Sequence, residues 1–127
     1  MEFLNLTPHD IVFQNPDGSQ VTFPKPEAGK DARVDTLPVA REAMGEIDGM
    51  AVAPYPVYGG VTNLPAFSEG YMNIVSSIVL GQAGCRGRTD LVAPGTGPKD
   101  GAIRFPIDHP QKGQVQAVTR WIAAPKA

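Results

Sequence analysis

The segment Arg86-Gly87-Arg88 carries the strongest local chemistry in the chain. Two guanidinium groups around a glycine can grip a phosphate or carboxylate in a fork, and the glycine lets the backbone approach a ligand closely. Asp90 stands two residues on, where it can fix the Arg88 rotamer. The plainer reading is a solvated loop in which Arg88 pairs with Asp90. Thr7-Pro8-His9 brings an imidazole that can donate, accept or titrate near neutral pH. Equally, Thr7-Pro8 can start a strand while His9 or Asp10 satisfies nearby backbone. Tyr58 and Tyr71, with Tyr55 and Phe67, offer faces on which a base can stack, or rings that pack loops onto a small sheet. Lys99, Arg104 and Arg120 are further cations that can converge on an anion from other segments.

Other chemistry is thin. The single cysteine, Cys85, excludes an internal disulfide and a CxxC metal site. Neighbouring arginines can lower a thiol pKa, yet no base lies adjacent to make Cys85 a nucleophile. The run from Pro94 to Gly101 is Gly-rich with Lys99, but it lacks the GK[ST] ending and following helix of a P-loop, so it reads as a loop or lid. No Ser-His-Asp or Cys-His order stands out. No catalytic residue, metal or cofactor is implied.

The elements that must position these groups are short. Gly (14) and Pro (13) are scattered without period, and only Tyr71–Leu80 and Gln114–Ala124 run ten residues or more without either. That spacing excludes a helix bundle and points to a β-rich α+β domain, a small barrel- or sandwich-like antiparallel or mixed sheet with one short helix. The 127 residues suffice for a single domain, 1–127. His9 to Phe23 reads as a hairpin turned by Asn15-Pro16-Asp17-Gly18. Ala32–Asp35, Met50–Ala53 and Val57–Tyr58 are strand candidates, and Arg41–Met44 suggests one helical turn stopped by Gly45. Tyr71–Val75 has strand chemistry, after which Ser76 can cap a helix over Ser77–Ala83 ended by Gly84. Val115 to Ile122 alternates as one strand covered on both sides, paired with Ile103–Ile107.

Eleven basic against thirteen acidic residues leave a charge of −2, which argues against a sequence-blind nucleic-acid clamp. No signal peptide opens the chain and no apolar run reaches membrane length, so a cytoplasmic protein is expected.

Asn5-Leu6-Thr7-Pro8-His9, Ala32-Arg33-Val34, Leu64-Pro65, Ile74-Val75-Ser76 and Arg88-Thr89-Asp90-Leu91-Val92-Ala93-Pro94 occur in that order. Together they resemble a largely uncharacterised family of small phage, prophage and bacterial proteins. Those proteins open with NLTPH and carry IVS and R-x-DLV-x-P segments. The resemblance implies a phage setting, host cytoplasm, and marks Thr7, His9, Arg88 and Asp90. The stretch Phe105 to Gly113 is longer than the family's tight hairpin.

The expected function is a non-catalytic binding protein for a small anionic, nucleotide-like ligand; in a phage its concrete form is a sponge that sequesters a host immune signal. The site would hold Thr7, His9, Arg86, Arg88 and Asp90 in one pocket, with Tyr58 or Tyr71 stacking. A homo-oligomer is expected, joined through the terminal strand or the Tyr55–Tyr71 region. The alternatives are direct blocking of a host defence protein, a virion part, and a small hydrolase using His9.

Overall fold

The computed structural model describes residues 1–36, 45–52 and 58–127, with backbone only at 35, 36, 58 and 59. The organising element is a four-stranded mixed sheet in the order β1-β8-β9-β12. Its strands are β1 (Glu2–Asn5), β8 (Tyr71–Ile74), β9 (Leu91–Pro94) and β12 (Trp121–Ala123). The first three run parallel, with Asn5 opposite Ile74 and Ile74 opposite Val92; β12 returns antiparallel, with Ile122 opposite Ala93.

Side chains alternate across this sheet, and each face has its own cover. One face carries Leu91, Ala93 and Ile122, continued by Val75 and Ala124. It packs with Val79 and Leu80 of α1 (Ser77–Leu80), Cys85 and Ala32 into the core. Val34 of β4 (Arg33–Thr36) and Val61 of β7 (Tyr58–Thr62) close it from outside. The other face carries Ile74, fully buried, with Phe3 and Trp121 from the two outer strands. Three strand spacings of about 4.8 Å separate those strands, yet the two rings stack 6.1 Å apart, reaching toward each other over the inner strands. Phe13 and Phe23 join them from the hairpin of β2 (Ile11–Gln14) and β3 (Gln20–Phe23). The hairpin expected over His9–Phe23 therefore forms, and this aromatic cluster docks it onto the sheet.

β2 also touches β11 (Val115–Ala117), which pairs with β10 (Ile103–Arg104). A single bridge, Phe13 to Val118, makes the join, with Gln14 N–H donating to Val118 O and Val118 N–H to Val12 O, both at 2.8 Å. A third hairpin, β5 (Gly45–Ile47) and β6 (Met50–Val52), turns at Asp48-Gly49, both with positive φ (51° and 79°), the signature of a twist-matched two-residue turn. The fold is β-rich with one short α-helix, as the Gly/Pro spacing predicts; no closed barrel forms among the described residues.

Several boundaries differ from the sequence reading. Ser76 caps α1 as expected, its Oγ accepting from Val79 N–H at 3.3 Å, but the helix stops at Leu80. Gln82 then turns extended and Ala83–Cys85 is a separate 3₁₀ turn. The strand expected over Val115–Ile122 is two strands. Val118 is diverted to Phe13, and Thr119 Oγ1 turns to the carbonyls of Asp100 and Gly101. β7 runs on through Gly59 and Gly60 to Thr62, beyond the Val57–Tyr58 strand expected from the sequence. The helical turn at Arg41–Met44, Ala53, Tyr55 and Val57 lie outside the described residues. Among the described residues no helix is long and apolar enough to cross a membrane.

Candidate functional site

Parallel strands give the sheet two distinct ends, and the expected site residues divide between them. Thr7 and His9 follow the carboxyl end of β1. Arg88 and Asp90 precede the amino end of β9, and Tyr71 opens β8. Four residues of strand, about 13 Å, lie between the two groups. The single pocket expected for Thr7, His9, Arg86 and Arg88 is thus two separate places.

At the amino end Arg88 is part of the framework. Its Nε donates to Asp90 Oδ1 at 2.9 Å, and its Nη2 donates to Asp90 Oδ2 at 2.5 Å and to Pro65 O at 2.9 Å. The Asp90 side chain is 1% exposed and also accepts from Asn73 Nδ2 at 3.2 Å. Burial pushes the Asp90 carboxyl up, but the bonds and charge of Arg88 outweigh it and hold the group below the usual carboxylate range. Asp90 does fix the Arg88 rotamer, within a buried pair rather than a solvated loop. Tyr71 lines a hollow of about 160 Å³ beside this pair, with Leu4, Pro65 and Asn73. Arg86 sits on an exposed turn, and Tyr58 contributes backbone to β7. Cys85 is buried at 1% exposure, and that burial pushes its thiol up, away from reactivity.

The other cations do not converge. Arg120 donates from Nε and Nη2 to one oxygen of Asp100, Oδ1, while Oδ2 accepts from Gly97 N–H at 2.7 Å; the Arg120 bonds draw the Asp100 carboxyl down. Arg104 spends Nη1 on Gly113 O and Nη2 on Thr96 O, both at 2.8 Å. These contacts shape loops.

The carboxyl end holds a cleft of about 660 Å³. It opens because β2 and β11 are joined only at Phe13–Val118; ahead of that bridge Ile11 and Gln116 both become walls. Thr7 and His9 form one rim. Thr7 is buried at 5% exposure, its Oγ1 lying 2.7 Å from Asn5 Oδ1 and 2.9 Å from His9 O, two acceptors for its one proton. Asn5 completes the knot by accepting from Thr7 N–H and donating to the carbonyls of His9 and Phe23. The NLTPH segment thereby presents the exposed His9 ring at the cleft. Ser76 and Ser77 come from the start of α1 and Thr96 from the loop after β9. The far wall is Phe105, Gln111, Gln114 and Gln116. Phe105 is backed by His109, stacked at 4.3 Å, whose Nδ1 accepts from Gln111 N–H at 3.0 Å.

Sequence reasoning missed this far wall. Glutamines carry no motif of their own; the one signal was Gln114-x-Gln116, two carboxamides at strand spacing. No cluster of three or more metal-ligating side chains occurs among the described residues. No family model, curated protein or solved structure matches the chain.

Proposed function

We propose that this protein binds a small nucleotide-like molecule in the carboxyl-end cleft and does not transform it. The observation that carries this reading is the cleft itself: about 660 Å³, at the carboxyl ends of parallel strands, with a mainly apolar wall (Ile11, Val12, Phe105, Val115) interrupted by hydroxyl and carboxamide groups. A volume of that order suits a small ligand, and strand carboxyl ends are where open parallel sheets place one. The His9 ring adds a donor or acceptor at the rim. In a phage setting, which the motif resemblance suggests, such a protein acts as a stoichiometric sponge for a host signalling nucleotide in the host cytoplasm. A dimer belongs to the same reading, and light scattering measures it.

The test is mass spectrometry of small molecules released by heat from purified protein, wild type beside Ser77→Trp, which fills the cleft from an exposed position. A molecule released by the wild type and absent from the variant supports the reading. Two empty proteins sink it.

A second reading, direct blocking of a host protein, draws on the β5–β6 hairpin. Ile47, Met50 and Val52 fall on one of its faces and are 61%, 64% and 42% exposed. An apolar face of that kind suits a protein partner. Empty protein in the release experiment moves the weight to it.

A further inference from the structure

We infer that the cleft reads the uncharged, planar end of its ligand, the base of a nucleoside, through Gln111, Gln114 and Gln116, and that phosphate adds nothing to its affinity. This rests on the cleft being the ligand site. Three observations support it.

The first is the state of the three carboxamides. All line the cleft, and no hydrogen bond to the described residues occupies their side-chain groups. Thr7 Oγ1 and Ser76 Oγ are committed, the first to Asn5 and His9 and the second to Val79 N–H, whereas the His9 ring and the Ser77 and Thr96 hydroxyls share the open state of the carboxamides but do not pair a donor with an acceptor in one plane. A carboxamide offers a donor and an acceptor side by side, which is the complement of a base edge such as the N6/N7 side of adenine.

The second is charge. Among the described residues the cleft lining contains no lysine or arginine, while Asp10 contributes a carboxylate. Two nearby cations, Arg104 and Arg120, are bound to Gly113, Thr96 and Asp100, and Lys112, between Gln111 and Gln114, is exposed and does not line the cleft. Phosphate recognition depends on charge-assisted bonds from such groups. A phosphate left in this cleft would be stripped of water without that compensation, so it must point outward.

The third is the wall between the glutamines. Phe105 stacks on His109 with ring centroids 4.3 Å apart at an interplanar angle of 19°. An aromatic ring in the wall favours a planar partner over a sugar, whose hydroxyls the glutamines could otherwise serve.

The experiment is calorimetry on the full chain with adenosine, guanosine, cytidine and uridine, the 5′-triphosphate of each, and glucose. The expected result is that at least one nucleoside binds and its triphosphate binds within about threefold of it. Gln114→Leu and Gln116→Leu should each weaken that nucleoside roughly three- to tenfold, the worth of an uncharged hydrogen bond. Melting temperatures should stay unchanged, because both amides are exposed. Gln116→Glu, which exchanges the donor for a charge while keeping the shape, guards against a packing effect and should weaken binding at least as much. A triphosphate more than about tenfold tighter than its nucleoside overturns the inference. So does binding of glucose alone, binding by none of the nucleosides, or glutamine variants that bind like the wild type. The release experiment with Ser77→Trp decides separately whether the cleft holds a ligand at all.

Discussion

Replacing Arg88 with alanine should unfold the protein far more readily than its place on a surface loop suggests. Three donor bonds are lost, two to Asp90 and one to Pro65 O. The larger effect is what remains: an Asp90 carboxylate 1% exposed, with Asn73 Nδ2 as its remaining side-chain donor at 3.2 Å. Breaking a buried ion pair from one side costs about 3–5 kcal/mol, against a total stability of about 5–15 kcal/mol for a domain. For a chain of this size that corresponds to a fall in melting temperature of roughly 10–20 °C. Calorimetric or circular-dichroism melting at neutral pH reads it directly. Arg88→Ala paired with Asp90→Leu removes both charges and should recover much of the loss, since apolar replacement of a whole buried pair is near neutral. A fall of less than about 3 °C for Arg88→Ala, or a double variant as unstable as the single, would refute the argument. As a ligand contact Arg88 would matter to binding; as part of the framework it matters to stability.

Other consequences are equally direct. The Asp90 carboxyl is depressed, so its contribution is present above the unfolded value of about 3.9 and is lost as pH falls through the folded value. The stability of the wild type should therefore drop steeply below about pH 4, and Asp90→Asn should flatten that drop in melts at stepped pH. Asn5→Ala strips four hydrogen bonds from the knot that ties β1 to β3 and should cost at least about 2 kcal/mol in urea unfolding. A Cβ at Gly95 would lie 2.9 Å from Arg120 O, so Gly95→Ala should destabilise by about 1–3 kcal/mol in the same assay. Cys85 should resist iodoacetamide in the native protein and react on unfolding, as mass spectrometry would show, because its thiol is buried and shifted upward.

What the sequence revealed was local. The β2–β3 hairpin was legible because its turn residues and both strands lie within fifteen positions. The Ser76 cap was legible because a capping hydroxyl acts within one turn. The Arg88–Asp90 pair was legible as the plainer of two readings; its burial was not, because that depends on Asn73 and Pro65 arriving from elsewhere. β1 escaped notice because its partner lies at Tyr71–Ile74, and nothing in Glu2–Asn5 announces a parallel neighbour so distant. The cleft escaped for a related reason. It is the gap between β2 and β11, two strands about a hundred residues apart, and its chemistry rests on glutamines that are unremarkable until they share a wall. Several motifs of the resemblance have framework tasks: Asn5 and Thr7 in the knot, Ile74 to Ser76 at the end of β8, Arg88 to Pro94 at the start and along β9.

The parallel pairing of β1 with β8 also dictates the order in which this chain can fold. Glu2 finds its ladder partner in Tyr71, so β1 waits until Tyr71–Ile74 has been made before it can join this sheet. The β2–β3 hairpin, by contrast, is complete once Phe23 has been made. Its aromatic face can meet Phe3 early, but Trp121, the ring that Phe13 and Phe23 share, comes much later in the chain. Contacts so separated in sequence carry a large loop-closure cost and slow the rate-limiting step. Refolding should be slow for so small a domain. Until Trp121 emerges, nascent chains hold Phe3, Phe13 and Phe23 without their shared partner, and that interval is when they most need a chaperone.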